Sequence, residues 1–220
     1  MRKSDIKIND IWMRNLGWLR ESIDFPTPKS QSEMITVPGR NSPIRYTEAL
    51  GRVSYEPRSF VIVLTMLGSR EKYNAMVSAT VNILAGRLCK VVTSEEPDLY
   101  AVGTIECAQA YDGHSGKGQL TLSCSDGDAY RYHVEETEIT FPAAEEPRVY
   151  VLKNDYMPVV PAVMTTEETT LSWKIGTDSF EKTVSAGTWE FPELELCHGD
   201  NSIAITGTGI TTFRYREGRL

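Results

Sequence analysis

The run RSFVIVLTML, residues 58–67, constrains the fold more than any other part of the chain. In an extended chain Phe60, Ile62, Leu64 and Met66 share one face, and Val61, Val63 and Leu67 share the other. The apolar stretch is far too short to span a bilayer. Both faces being apolar, it predicts a central β-strand covered on each side. Gly68-Ser69 ends the strand and opens a helix, with Ser69 as N-cap and Glu71 in the first turn. Tyr73, Met76, Val77, Thr80, Val81 and Leu84 recur at helical spacing, and Gly86 supplies the stop. The predicted helix covers about 69–86 and lies against a sheet, because LCKVVTS returns as a strand.

Around this unit the patterns are extended. IKINDIWM alternates as a short strand, DFPTPKSQSE is held extended by its X-Pro steps, and MITVPGRNSP pairs a short β run with a turn at Pro38-Gly39. LYAVGTIECAQAY and KGQLTLSCSD are two strands joined by the hairpin loop DGHSG, and HVEETEITFP reads as a charged edge strand. PAAEEP, from Pro142 to Pro147, predicts a domain boundary. Beyond it, short strands separated by turns, rich in Thr, Val, Ile and aromatic residues, predict a β-sandwich. The expected architecture is mainly β: an N-terminal β-barrel or sheet domain with one packed α-helix over 1–142, and a C-terminal β-sandwich over 148–220.

The chain has 220 residues, long enough for two small domains with real cores. It opens without an apolar signal segment, so a soluble protein made in a cytoplasm is expected, with no membrane insertion. The net charge of −7 is unevenly placed: +3 over residues 1–60, −3 over 61–130 and −7 over 131–220. An acidic C-terminal part disfavours sustained nucleic-acid binding, which needs a cationic surface. Cys89, Cys107, Cys124 and Cys197 lack metal-binding spacing, and Cys107 and Cys124 read as small core residues.

No catalytic constellation assembles. His114, His133 and His198 fall in no triad, metalloprotease or nucleophile-elbow pattern. GHSGKG lacks phosphate-loop spacing and leads into a strand instead of a helix. Neighbouring carboxylates such as Glu135-Glu136 and Glu167-Glu168 point to opposite strand faces. No enzyme, cofactor or metal is expected. Trp173 and Trp189 are the candidates for stacking on a sugar, the alternative being a carbohydrate-binding module; for Trp173 a place in the core is favoured.

Several phrases, taken in order, resemble the phage distal tail protein (Dit) family, the baseplate hub of long-tailed phages and prophages. In the N-terminal half these are the turn Val37, Pro38, Gly39, Arg40, the lead-in Tyr55 and Arg58, and the phrase Glu96-Pro97-Asp98-Leu99-Tyr100. In the C-terminal half they are Asn154, Pro158 and Pro161, then Leu196, Gly199 and Asn201, and the final strand Phe213, Arg214, Tyr215, Arg216. The resemblance implies a galectin-like C-terminal sandwich and a hexameric ring formed by the N-terminal domains. It also implies contact with a tail tube protein and a tail-associated or tip protein, a central channel that DNA traverses transiently, and a place in the virion after assembly in the bacterial cytoplasm. Arg40, Arg45, Arg52, Tyr55 and Arg58 become the inter-subunit candidates, the arginines meeting acidic residues of the 95–138 region.

Overall fold

A computed structural model describes residues 5–36, 38–39, 41–42, 44–46 and 53–220. The chain divides into two compact units, residues 1–131 with Leu220, and residues 132–219.

The first unit begins with β1 (Ile6–Ile8), β2 (Ile11–Trp12) and a 3₁₀ turn at Met13–Leu16. The expected single strand over 6–13 is thus a tight hairpin. Asn9 and Asp10 turn it with φ of 45° and 69°, left-handed values these two residue types tolerate. β3 (Leu19–Asp24), β4 (Glu33–Ile35) and β5 (Ile44–Tyr46) follow, then β6 (Arg58–Leu67), α1 (Arg70–Leu84) and β7 (Arg87–Thr93). β8 (Leu99–Asp112) and β9 (Lys117–Gly127) form the long hairpin. The strands run in the order β2-β1-β7-β8-β9-β6-β3, every pairing being antiparallel.

β6 is interior, between β3 and β9, as its apolar content predicts. Its second face is only partly covered, Val63 being half-buried, which corrects the expectation of burial on both sides. Phe60, Ile62, Leu64 and Met66 are buried, whereas Leu67 is 73 % exposed. An antiparallel sheet can leave one face wet, since no crossover helix has to lie there. The dry face packs against α1 through Tyr73, Met76, Val77 and Leu84, together with Trp18 and Met13. The helix is bounded as its sequence predicts: the Ser69 hydroxyl accepts from the Lys72 N–H at 3.3 Å, and Gly86 lies just beyond the C-cap with φ of 69°. Trp18 donates its indole N–H to Thr80 Oγ1 at 2.8 Å, so the large ring is buried with its polar atom satisfied. Cys124 is buried and Cys107 half-buried, and both are free thiols. The register sets Cys107 opposite Leu122 and Cys124 opposite Phe60.

The second unit opens with β10 (Arg131–His133), whose first residue belongs to the first unit. Next come β11 (Thr137–Pro142), β12 (Arg148–Asn154), β13 (Ala162–Thr165), β14 (Thr169–Ile175) and β15 (Asp178–Val184). β16 (Gly187–Glu190), β17 (Gly199–Gly207), β18 (Ile210–Tyr215) and β19 (Gly218–Arg219) complete it. Two four-stranded antiparallel sheets, β11-β18-β13-β16 and β12-β17-β14-β15, enclose one core. Leu152, Leu171, Trp173, Ile203 and Ile205 come from one sheet, and Val163, Phe213 and Tyr215 from the other. β10 pairs with β19.

Residues 137–142 therefore lie outside the first unit, contrary to the boundary read at 142–147. β11 pairs with β18 along its full length, Thr137 opposite Tyr215 and Pro142 opposite Ile210. The PAAEEP stretch is stitched into the sandwich: the Ala143 N–H donates to Gly209 O, and the Gly207 N–H to Ala144 O. Its prolines and glutamates mark a crossing from one sheet to the other, a place where a Pro at a strand end removes no ladder bond.

Gly118 on β9 makes room for the Tyr73 ring. A Cβ at this position would lie 2.3 Å from Tyr73 Cδ2, and the Tyr73 hydroxyl is anchored on Gln119 O at 2.9 Å. Gly118→Ala should destabilise the first unit by about 1–3 kcal/mol in urea unfolding. Gly113→Ala, where an added Cβ meets nothing within 4 Å, should leave the midpoint unchanged.

Candidate interaction surfaces

Arg58 opens β6 and is 2 % exposed. Its Nε and Nη2 donate to Ala129 O at 3.2 and 2.9 Å, and its Nη1 donates to Pro26 O at 2.7 Å. The guanidinium lies 5.4 Å from the centre of the Phe25 ring, which stacks on Phe60 at 4.7 Å. Burial, then the nearby positive charge of Arg131, lowers its pKa to about 10. Arg58 is thus an internal clamp joining β6 to two flanking segments. This corrects its assignment to an inter-subunit contact, because it has no accessible surface to offer. Tyr55 is half-buried, forms an isolated bridge with Ser30, and meets Tyr130 edge-to-face at 5.8 Å. Arg40 and Arg52 lie outside the described residues, as does the side chain of Arg45, whose backbone belongs to β5.

The carboxylates expected to receive those arginines are largely engaged within the chain. Glu95 pairs with Arg20, Glu96 with Arg131, Glu138 with Arg214 and Glu136 with Arg216. The Arg20 hydrogen bond holds the Glu95 carboxyl below its ordinary range, and contacts to Thr104 do the same for Asp126. Asp98 and Glu106 remain exposed on β8 and its approach.

β4 and β5 pair only with each other, in register Glu33–Tyr46, Met34–Arg45 and Ile35–Ile44, and form a separate two-stranded sheet. The base of this ribbon is closed by backbone hydrogen bonds from Gln31 N to Ser54 O and from Glu56 N to Lys29 O, both 2.8 Å. Proline and glycine at 38 and 39 make the turn expected there.

Trp173 is 4 % exposed, stacks on Phe180 at 5.6 Å and donates its indole N–H to Glu193 O. It belongs to the sandwich core, which removes it as a stacking platform for sugar. Trp189 on β16 is 37 % exposed and donates to Ser185 O at 3.1 Å. A groove of about 670 Å³ lies on the second unit, with Ser172, Lys174, Glu181, Asp200, Ser202 and Ala204 among its lining. The histidines stay separate: His114 in the hairpin turn, His133 on Asp155 at 3.2 Å, and His198 stacked on Tyr156 at 4.8 Å. Among the described residues no three His, Cys, Asp or Glu side chains converge to hold a metal ion, and no helix is long and apolar enough to cross a membrane.

The clamp reading of Arg58 has a direct consequence. Arg58→Met strands the carbonyls of Pro26 and Ala129 and should lower the stability of the first unit by about 2–4 kcal/mol. Urea unfolding at low protein concentration checks this; an unchanged midpoint with altered assembly would return Arg58 to the subunit interface.

No family model matches the chain, and no curated protein matches it. Among solved structures, the chain is similar to the crystal structure of the Dit protein of phage SPP1, described as a paradigm of the hub adsorption apparatus in phages that infect Gram-positive bacteria. The match covers 99 % of each chain with a TM-score of 0.68 and 14 % sequence identity. The whole chain, helix-bearing β unit and sandwich together, has the fold of that protein.

Proposed function

We propose that this chain is a structural distal tail protein, a hub that closes as a six-membered ring between the tail tube and the tip proteins of a long-tailed phage or prophage. The observation that carries the proposal is likeness in fold to a phage hub protein over 99 % of both chains. The first unit forms the ring, and the second is a galectin-like sandwich. A closed ring needs heterologous contacts, one surface of each subunit meeting a different surface of the next. The β4–β5 ribbon supplies one half. A two-stranded hairpin is marginal alone in water, and it gains a sheet partner by adding to a strand edge of the adjacent subunit. Arg40, Arg45 and Arg52 are close to the ribbon in sequence, and Asp98 and Glu106, which make no ion pair among the described residues, are the counterparts proposed for them. Carboxylates around the central channel repel phosphate and let DNA pass without adhering. The protein has no catalytic role and takes no cofactor, and it works in the virion after assembly in the host cytoplasm. The carbohydrate-binding alternative rests on Trp189 alone once Trp173 is buried in the core.

Size-exclusion chromatography with light scattering should give six times the chain mass of 24.7 kDa, and negative-stain images should show six-fold rings. A monodisperse monomer at tens of micromolar would sink the proposal. Replacing residues 32–53 by a short Gly-Ser closure should leave the unfolding transition in place and abolish the ring, with equilibrium sedimentation as the readout.

A further inference from the structure

The sheet β12-β17-β14-β15 has two free edges of equal length, seven residues each. All three pairings inside it are antiparallel, so β12 and β15 run in opposite directions. A copy of this sheet set beside itself in the same orientation therefore brings β15 of one chain against β12 of the next as an antiparallel pair. An odd number of strands would have made that junction parallel.

The two edges differ in charge. Arg148 and Lys153 are exposed on β12, which carries no acidic residue; Asp178 and Glu181 are exposed on β15. Among the described residues none of these four makes an ion pair, whereas Lys182, the only cation of β15, is held by Glu193 at 3.8 Å. Beyond the charges of Arg148 and Lys153, β12 has few of the devices that guard an edge. It has no proline, its register with β17 is unbroken, and it exposes Val149 at 64 % and Val151 at 45 %. The chain's own cover there includes the Tyr215 hydroxyl on Lys153 O.

We propose that β12 of one copy pairs antiparallel with β15 of a second copy, continuing the sheet from chain to chain. Full overlap sets Arg148 opposite Val184 and Asn154 opposite Asp178. Within that register Val149 meets Thr183, Leu152 meets Phe180, and Lys153 lies one diagonal step from Glu181. The faces agree: Val149, Val151 and Lys153 point to the same side as Ser179, Glu181 and Thr183, because Val149–Ala204–Ser172–Glu181 is one continuous cross-strand row. The contact is heterologous and goes beyond the ring of first units proposed above; it stands or falls separately.

Disulfide trapping in the full-length protein tests it. Val151→Cys and Glu181→Cys are prepared separately, each with the exposed Cys197 changed to Ser, then mixed and oxidised with copper phenanthroline. The mixture should yield crosslinked dimer, and neither variant alone should do so. On chains that keep Glu181, Val149→Cys with Thr183→Cys should crosslink likewise, and adding Lys153→Glu to the Val149→Cys chain should lower that yield about threefold, the effect of one cross-strand charge pair. No crosslink in the mixture overturns the proposal. So does equal trapping of Glu181→Cys with Ser202→Cys, a mid-sheet control. Light scattering on the unsubstituted protein reports the ring independently, so a monomer with a specific crosslink and a ring without one are distinct outcomes.

Discussion

Burial of one face of β6 beneath α1 is the constraint on which the first unit depends. Phe60, Ile62, Leu64 and Met66 need a dry neighbour, and the chain supplies one immediately, since Gly68-Ser69 turns the strand straight into the helix that covers it. Trp18 completes the arrangement from the N-terminal side, with its ring in the core and its N–H on Thr80. β9 must then carry a glycine at 118, because the Tyr73 ring fills the space a side chain would take. Strand, helix, tryptophan and glycine form one mutually dependent set.

Charge follows a similar logic. The residues 95–138 are acidic in sequence, yet Glu95, Glu96, Glu136 and Glu138 each meet an arginine of the same chain. Arg58, which the sequence places among a run of potential contact arginines, is consumed by two backbone carbonyls and the Phe25 ring. Among the described residues, those left exposed and outside internal ion pairs include Asp98 and Glu106 and the oppositely charged residues of the β12 and β15 edges.

Much of the fold was legible from local pattern. The helix ends, the β8–β9 hairpin and most strands of the sandwich follow from capping residues, period-two alternation and turn chemistry, all of which act within a few residues. The errors arose where the deciding contact was distant. PAAEEP has the composition of a linker, but its alanines bond to Gly207 and Gly209, some sixty residues away. Trp189 and Trp173 look alike as indoles on β-strands. Only the pairing of β14 with β15 and β17 buries one, while the edge position of β16 exposes the other.

Local pattern alone specified a mainly β chain with one helix and two cores, because periodicity, capping and residue type are properties of neighbouring positions. Tertiary structure decided which charged and aromatic residues are available to a partner. Availability depends on burial and on hydrogen bonds across tens of residues. Arg58 shows the difference: one residue from an exposed serine in sequence, and sealed under Phe25 in space.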